Sequence, residues 1–173
     1  PWSAFRGIRK LPPAHYLVAR NGRVDITRYW SLCYEPKRDE SEDVLVEELD
    51  QLLGRAVERR LVSDVPLGAL LSGGLDSSAV VALMRRATSG SIRTFSIGFD
   101  QPEYDERGYA RSVATALDTE HQELVVQPDA AALLPRMVYH YNEPFADSSA
   151  LPTWCLSEMA RQSVTVALSG DGG

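Results

Sequence analysis

Short apolar runs alternate with helical stretches along most of this chain, and this alternation constrains the fold more than any other feature. Val65 to Leu71 is a nearly continuous apolar run, which is typical of a strand buried on both faces of a parallel sheet. A glycine turn and a helical stretch from Ser77 to Arg86 follow, and Ile92 to Phe99 then predicts a second strand. Strands alternating with helices of about 10–15 residues indicate βαβ units, so the sequence predicts an α/β fold with a parallel sheet.

The remaining elements follow the same reasoning. Ser41 precedes an apolar stripe with helical spacing, so a helix is expected from about residue 42 to 62. Further along the chain, the pattern predicts three more helices and two more strands. The helices are Tyr104 to Leu117, Pro128 to Tyr141 and Leu151 to Gln162, and the strands are Glu120 to Val126 and Val164 to Leu168.

Residues 1–40 differ in pattern from the rest of the chain. Tyr16 to Arg20 and Arg23 to Tyr29 flank Asn21-Gly22, a pair that favours a two-residue hairpin because a type I′ turn needs positive φ at both central positions. We therefore expect a β-hairpin arm at 1–40 and the N-terminal part of an α/β domain at 41–173.

Composition and charge exclude several classes of protein. The chain has 173 residues, 44% of them apolar, and 18 basic against 24 acidic residues give a net charge of −6, which does not favour binding to nucleic acid. The longest apolar run, Ala79 to Met84, is too short to span a membrane, and the sequence shows no secretory signal. Cys33 and Cys155 belong to no metal-binding motif, so we expect free thiols and a cytoplasmic location.

The loop at residues 72–78, Ser-Gly-Gly-Leu-Asp-Ser-Ser, carries the clearest chemical signal. Gly73 and Gly74 allow a sharp turn and a close approach of backbone to ligand, and the serines add hydroxyl donors. A helix that starts near Ser77 presents free N–H groups and the positive end of its dipole, which together suit a phosphate. Asp76 fits such a loop if Mg²⁺ lies between its carboxylate and the phosphates. The loop therefore predicts a magnesium–phosphate site.

Two other phosphate loops can be excluded. The Gly-Lys-Ser/Thr of a P-loop is missing, and the glycine spacing does not give GxGxxG, so a kinase or a hydride-transfer enzyme is disfavoured. A Gly-Gly pair alone would indicate only a tight turn. The whole pattern between a strand and a helix favours phosphate binding instead.

The loop resembles the pyrophosphate loop of the N-type ATP pyrophosphatases, which cleave ATP between its α and β phosphates. Four further segments narrow the resemblance to the synthetase domain of glutamine-hydrolysing asparagine synthetases, and they occur in the family's order. These segments are Phe5 to Pro13, Thr94 to Phe99, Glu143 to Ala150 and Ser169 to Gly173. The resemblance implies a Rossmann-like adenine nucleotide alpha hydrolase fold.

The resemblance also implies a reaction and a set of site residues. ATP would adenylate the side-chain carboxylate of aspartate and release pyrophosphate, and ammonia derived from glutamine would then displace AMP. ATP and Mg²⁺ would be the cofactors, and no nucleic acid or membrane partner is expected. Asp76 and Asp171 would be catalytic, with Asp76 also holding Mg²⁺. The nucleotide would be held by Leu70, Ser72, Gly73, Gly74, Asp76, Ser77, Ser78, Ile97, Ser169 and Gly170.

The chain departs from the family pattern at both ends. Family members begin with a glutaminase domain whose N-terminal cysteine is the nucleophile, whereas this chain begins at Pro1, and neither Cys33 nor Cys155 can take that role. Further family acidic residues and a lysine would follow Gly173. We therefore expect a catalytically inactive fragment of a longer parent protein, with 1–40 as the end of a missing glutaminase domain. A homodimer of the parent also stays open.

Several alternatives stay open on the residues alone. The enzyme could activate another carboxylate, as related amidotransferases and β-lactam-forming synthetases do, or the chain could be an inert nucleotide-binding module. A tRNA-modifying pyrophosphatase is disfavoured because no basic patch is present. Residues 143–149 fit either an amino-acid pocket or a capped loop before the next helix. The three histidines have no metal-ligand spacing, so hydrogen-bonding roles are expected for His15, His121 and His140.

Overall fold

The computed structural model describes residues 2–99, 105–126 and 129–171, which form two separate sheets. The first is the expected hairpin, made of β1 (His15–Arg20) and β2 (Arg23–Arg28) in antiparallel pairing. Asn21 has φ 51° and Gly22 has φ 76°, as the predicted type I′ turn requires. The β-hairpin arm is therefore confirmed.

The second sheet contains four parallel strands in the order β5-β4-β3-β6. These strands are β3 (Leu67–Leu70), β4 (Arg93–Gly98), β5 (Glu120–Val125) and β6 (Val166–Leu168). Each strand up to β5 is added on one side of its predecessor, and β6 then returns to the other side of β3. This 3-2-1-4 order is that of the first four strands of a doubly wound fold, so the α/β class is confirmed.

Five helices connect and cover this sheet within the described ranges. They are α1 (Glu42–Leu61), α2 (Leu75–Ala87), α3 (Arg107–Ala116), α4 (Ala130–Tyr141) and α5 (Ala150–Ala160). The larger buried cluster joins the first three helices to one face of the sheet, around Ala69, Val81 and Met84. A smaller cluster on the opposite face joins α5 to Phe95 of β4. The sheet is therefore covered on both faces, which explains the nearly continuous apolar run of its strand β3.

The predicted and observed boundaries differ in one place that affects the site. The helix expected to start near Ser77 begins two residues earlier, at Leu75, with Gly74 as its N-cap. The side chain of Leu75 is 86% exposed, so this residue does not belong to the apolar stripe from which the helix was predicted. Asp76 therefore lies in the first helical turn rather than in the loop before it. Two helices were predicted to start at Tyr104 and Pro128, and both residues lie outside the described residues.

Among the described residues, no helix is both long and apolar enough to span a membrane.

Candidate active site

A cleft of about 360 Å³ opens at the carboxyl ends of β3, β4 and β6. The strand order reverses between β3 and β6, and this switch point is where parallel α/β sheets bind their ligands. The turn after β3, the first turn of α2 and the turn after β6 all line the cleft. Topology therefore brings together segments that are nearly 100 residues apart in the sequence.

The hydroxyls of the glycine turn hold the shape of the turn. Ser72 Oγ accepts a hydrogen bond from the Gly74 N–H at 3.2 Å and lies 3.0 Å from Ser77 Oγ. Ser77 is buried, and its hydroxyl donates to the Gly74 carbonyl at 3.2 Å. Two of the three hydroxyls predicted as phosphate donors, those of Ser72 and Ser77, are thus already used within the turn. The N–H groups at the start of α2 remain as the donors that an anion would meet.

The two glycines of the turn have different structural roles. Gly73 has φ 84°, and a Cβ placed there would lie 2.5 Å from the backbone N of Ala110 and from the Cβ of Tyr109, in the first turn of α3. Gly74 has φ −70°, and the atom nearest to a Cβ placed there would be Ser72 Oγ, at 3.3 Å. Gly73 is therefore required for packing, whereas Gly74 borders the cleft.

The turn after β6 packs directly onto the start of α2. A Cβ placed on Gly170 would lie 2.6 Å from the backbone N of Ser77 and 3.1 Å from Asp76 Cβ. Ser169 Oγ donates to Asp171 Oδ2 at 3.1 Å and accepts from the Asp171 N–H at 3.3 Å. This close approach places the carboxylate-bearing residues Asp76 and Asp171 on the wall of one cleft.

Most of the site residues predicted from the sequence line this cleft, and two do not. Those that do are Leu70, Ser72, Gly74, Asp76, Ser77, Ile97, Ser169, Gly170 and Asp171. Gly73 lies behind the turn against α3. Ser78 is turned away: its N–H donates to the Gly74 carbonyl, and its hydroxyl is buried with no hydrogen-bond partner among the described residues. Gly172 and Gly173, the end of the last motif, lie outside the described residues.

The opposite wall of the cleft was not predicted from the sequence. It includes Phe95 and Phe99 from the region of β4, Glu106 before α3, and Thr153 and Leu156 from α5. Phe95 is fully buried and packs against α5. The two α5 residues lie on the far face of the sheet from α2, so they could be found only once the strand order was known.

The local charge of the cleft is negative. Asp76 and Asp171 both line it, and the Asp76 carboxylate has no hydrogen bond or ion pair among the described residues. Beside the cleft, the hydrogen-bonded guanidinium of Arg107 holds the pKa of Asp105 below its usual range. The described residues contain no group of three or more metal-ligating side chains. Two carboxylates with free coordination sites suit Mg²⁺ when phosphate oxygens complete its shell.

The segment at residues 143–149 has the geometry of a capped loop. Asp147 Oδ1 accepts hydrogen bonds from the N–H and the hydroxyl of Ser149, at 2.8 and 2.7 Å, immediately before α5. These bonds lower the pKa of Asp147. Glu143 pairs with Lys10 at 2.6 Å and so ties the segment before the hairpin to the α4–α5 connection. None of residues 143–149 lines the cleft.

Comparison with known proteins identifies the family. The sequence profile of asparagine synthase matches residues 48–173. The chain belongs to the asparagine synthase family. It is 43% identical over its whole length to the putative asparagine synthetase [glutamine-hydrolyzing] 2 of Methanocaldococcus jannaschii, of which it covers 34%. It is 35% identical over 95% of its length to asparagine synthetase [glutamine-hydrolyzing] 1 of Bacillus subtilis, of which it covers 26%.

The chain therefore spans between about a quarter and about a third of the length of these two relatives. Among solved structures, it is similar to the NMN synthetase from Francisella tularensis, with 19% sequence identity and a TM-score of 0.49. That likeness covers 70% of this chain and 52% of the other.

Proposed function

We propose that this chain forms the ATP-binding part of an enzyme that adenylates the side-chain carboxylate of aspartate and then aminates it with ammonia derived from glutamine. Family membership supports the reaction class. The observation that carries the proposal is the convergence of the Ser72–Gly74 turn, the N-terminus of α2 and the Ser169–Asp171 turn on one cleft at the strand switch point.

The cleft has separate regions that suit the parts of ATP. Leu70 and Ile97, on neighbouring strands, give it an apolar wall suited to the adenine base. The first turn of α2 supplies N–H groups and a positive dipole end for the phosphates. Because the charge of the pyrophosphate leaving group increases in the transition state, fixed donors at that point lower the barrier to adenylation.

The two carboxylates need a cation for this arrangement to work. Asp76 and Asp171 alone would repel a triphosphate. Asp76 would hold Mg²⁺ and Asp171 would lie toward the reacting carboxyl group, as the family resemblance implies. When bound, Mg²⁺ would neutralise charge on the phosphates.

The reaction is tested by product analysis on the intact protein. With ATP, Mg²⁺, aspartate and either glutamine or ammonia, we expect AMP and pyrophosphate in equal amounts, together with asparagine. Formation of ADP would overturn the proposal, because it would mean cleavage at the wrong phosphate. Exchange of labelled pyrophosphate into ATP that depends on another carboxylic acid would instead show a different acceptor.

Asp76 is tested by an isosteric change and a matched control. Asp76→Asn removes one charge from the second residue of α2, and Asp43→Asn makes the same change at the second residue of α1. Both variants lose the same favourable interaction with a helix dipole. We expect only Asp76→Asn to abolish Mg²⁺-dependent pyrophosphate exchange. Equal exchange in the two variants would remove Asp76 from the proposed metal site.

A further inference from the structure

A chain of buried polar side chains runs from β5 to the cleft wall. His121 on β5 contacts two hydroxyls of β4: its Nδ1 lies 2.8 Å from Thr94 Oγ1, and its Nε2 lies 3.1 Å from Ser96 Oγ. Thr94 Oγ1 also lies 2.8 Å from Thr119 Oγ1. Thr94 is 0% exposed, Ser96 3% and the His121 side chain 9%. These groups are therefore shielded from water and depend on one another for hydrogen bonds.

The two hydroxyls bonded to His121 differ in one respect. Ser96 lines the cleft, whereas Thr94 does not. Phe95 and Ile97, the neighbours of Ser96 along β4, also line the cleft. The imidazole thus connects a position inside the sheet with the surface proposed to receive the nucleotide.

A histidine in this position controls the direction of a hydroxyl group. In neutral imidazole one nitrogen donates and the other accepts, so the state of Nε2 decides whether Ser96 donates to the ring or accepts from it. We propose that His121 is a positioning residue for the nucleotide cleft, and that it acts by fixing the orientation of the Ser96 hydroxyl at the cleft wall. This inference rests on the proposed ATP site.

The surroundings of the ring favour its neutral form. Burial lowers the pKa of His121, and the Glu123 carboxylate, 3.5 Å from Nε2, opposes that effect. Glu123 is itself paired with Arg111 of α3 at 2.6 Å, which weakens its pull on the imidazole. From β4, the ring meets the hydroxyls of Thr94 and Ser96. When the ring is protonated, both nitrogens donate, so the Ser96 hydroxyl must accept and its proton must turn away.

The test compares two variants that each remove one hydroxyl bonded to His121. Ser96→Ala and Thr94→Val are both close in size to the original residue, and both leave the imidazole one partner short. We expect both to destabilise the fold. Only Ser96→Ala should weaken Mg-ATP binding to the intact protein at pH 7.5, by about five-fold, the effect of one hydrogen bond.

The pH dependence gives a readout that general loss of stability would not change. The ratio of Mg-ATP affinities, unaltered protein over Ser96→Ala, should fall toward one as the pH is lowered from 7.5 to a pH at which the His121 ring is protonated. Taking the ratio cancels the titration of the phosphates of ATP. A constant ratio, or equal loss of affinity in the two variants, would overturn the inference while leaving the ATP site intact. If the unaltered protein binds no Mg-ATP, the proposed function fails as well.

Discussion

Replacement of Gly73 by alanine is the most direct test of how the glycine turn is built. At φ 84°, an L-residue brings its Cβ close to the neighbouring carbonyl oxygen. The new methyl group would also lie 2.5 Å from the backbone N of Ala110 and the backbone C of Tyr109. Backbone atoms cannot move aside as a flexible side chain can, so the turn or the first turn of α3 must shift.

The expected loss of stability can be worked out from these two effects. The left-handed conformation costs about 1–2 kcal/mol for a residue with a Cβ. Forcing a methyl group into a packed position costs about 1–3 kcal/mol more. We therefore expect Gly73→Ala to lower the free energy of unfolding by about 3 kcal/mol. Gly74→Ala is the matched control. Gly74 has φ −70°, and the atom nearest to an added Cβ is Ser72 Oγ at 3.3 Å. This variant should therefore lose less than about 1 kcal/mol of unfolding free energy.

The measurement is urea unfolding of the two variants and the unaltered protein, at one pH and salt concentration. Mg-ATP binding, measured on the same samples, distinguishes a variant that is less stable from one whose nucleotide site is damaged. If Gly73→Ala loses less than about 1 kcal/mol, or if the two variants lose the same amount, the packing of Gly73 against α3 is refuted. Gly73 would then be required only because it lets a ligand approach the backbone of the turn.

Three further outcomes are expected. Arg85→Ala should cost about 2 kcal/mol in urea unfolding, because this side chain donates to three backbone carbonyls across two loops, whereas Arg86→Ala, which loses only an exposed ion pair, should stay near the unaltered protein. Stability should decrease as the pH falls below about 6.5, since the depressed pKa of His121 means that the unfolded chain binds the proton first; a His121→Phe variant with the same slope between pH 7 and 5 would contradict this. Lys10→Ala should cost less than about 1 kcal/mol in thermal unfolding because its partner Glu143 is also accessible to water, and a larger loss would mean that this contact anchors the N-terminal segment.

The order of helices and strands could be predicted from the sequence because each element has its own local pattern. The apolar run at Val65 to Leu71 and the Asn21-Gly22 turn specify structure without reference to the rest of the chain. The start of α2 was predicted two residues late because Leu75, although apolar, is 86% exposed and does not belong to the apolar stripe of the helix. A helix start depends on backbone hydrogen bonds as well as on the apolar stripe, and here the Ser78 N–H donates to the Gly74 carbonyl.

The candidate site was predictable in part. The loop at 72–78 was found from its own residues, while Ile97, Ser169 and Asp171 came from the family resemblance. Spacing could not find the α5 residues of the cleft, Thr153 and Leu156, because their position depends on which face of the sheet the helix covers. The roles of the serines were also hidden, since a hydroxyl can hold a turn or meet a ligand and only the fold decides between them.

The pairing of β6 with β3 has a consequence for folding and dynamics. It brings Leu67 opposite Val166, residues 99 positions apart (166 − 67), so the β6 side of the cleft forms only after a very long loop has closed. β6 is three residues long and lies at the edge of the four-stranded sheet that the described residues form, which makes it a natural place for local opening. A ligand that contacts both the first turn of α2 and the Ser169–Asp171 turn would stabilise the closed position of β6. It would therefore slow amide hydrogen exchange in β6 more than in the central strands.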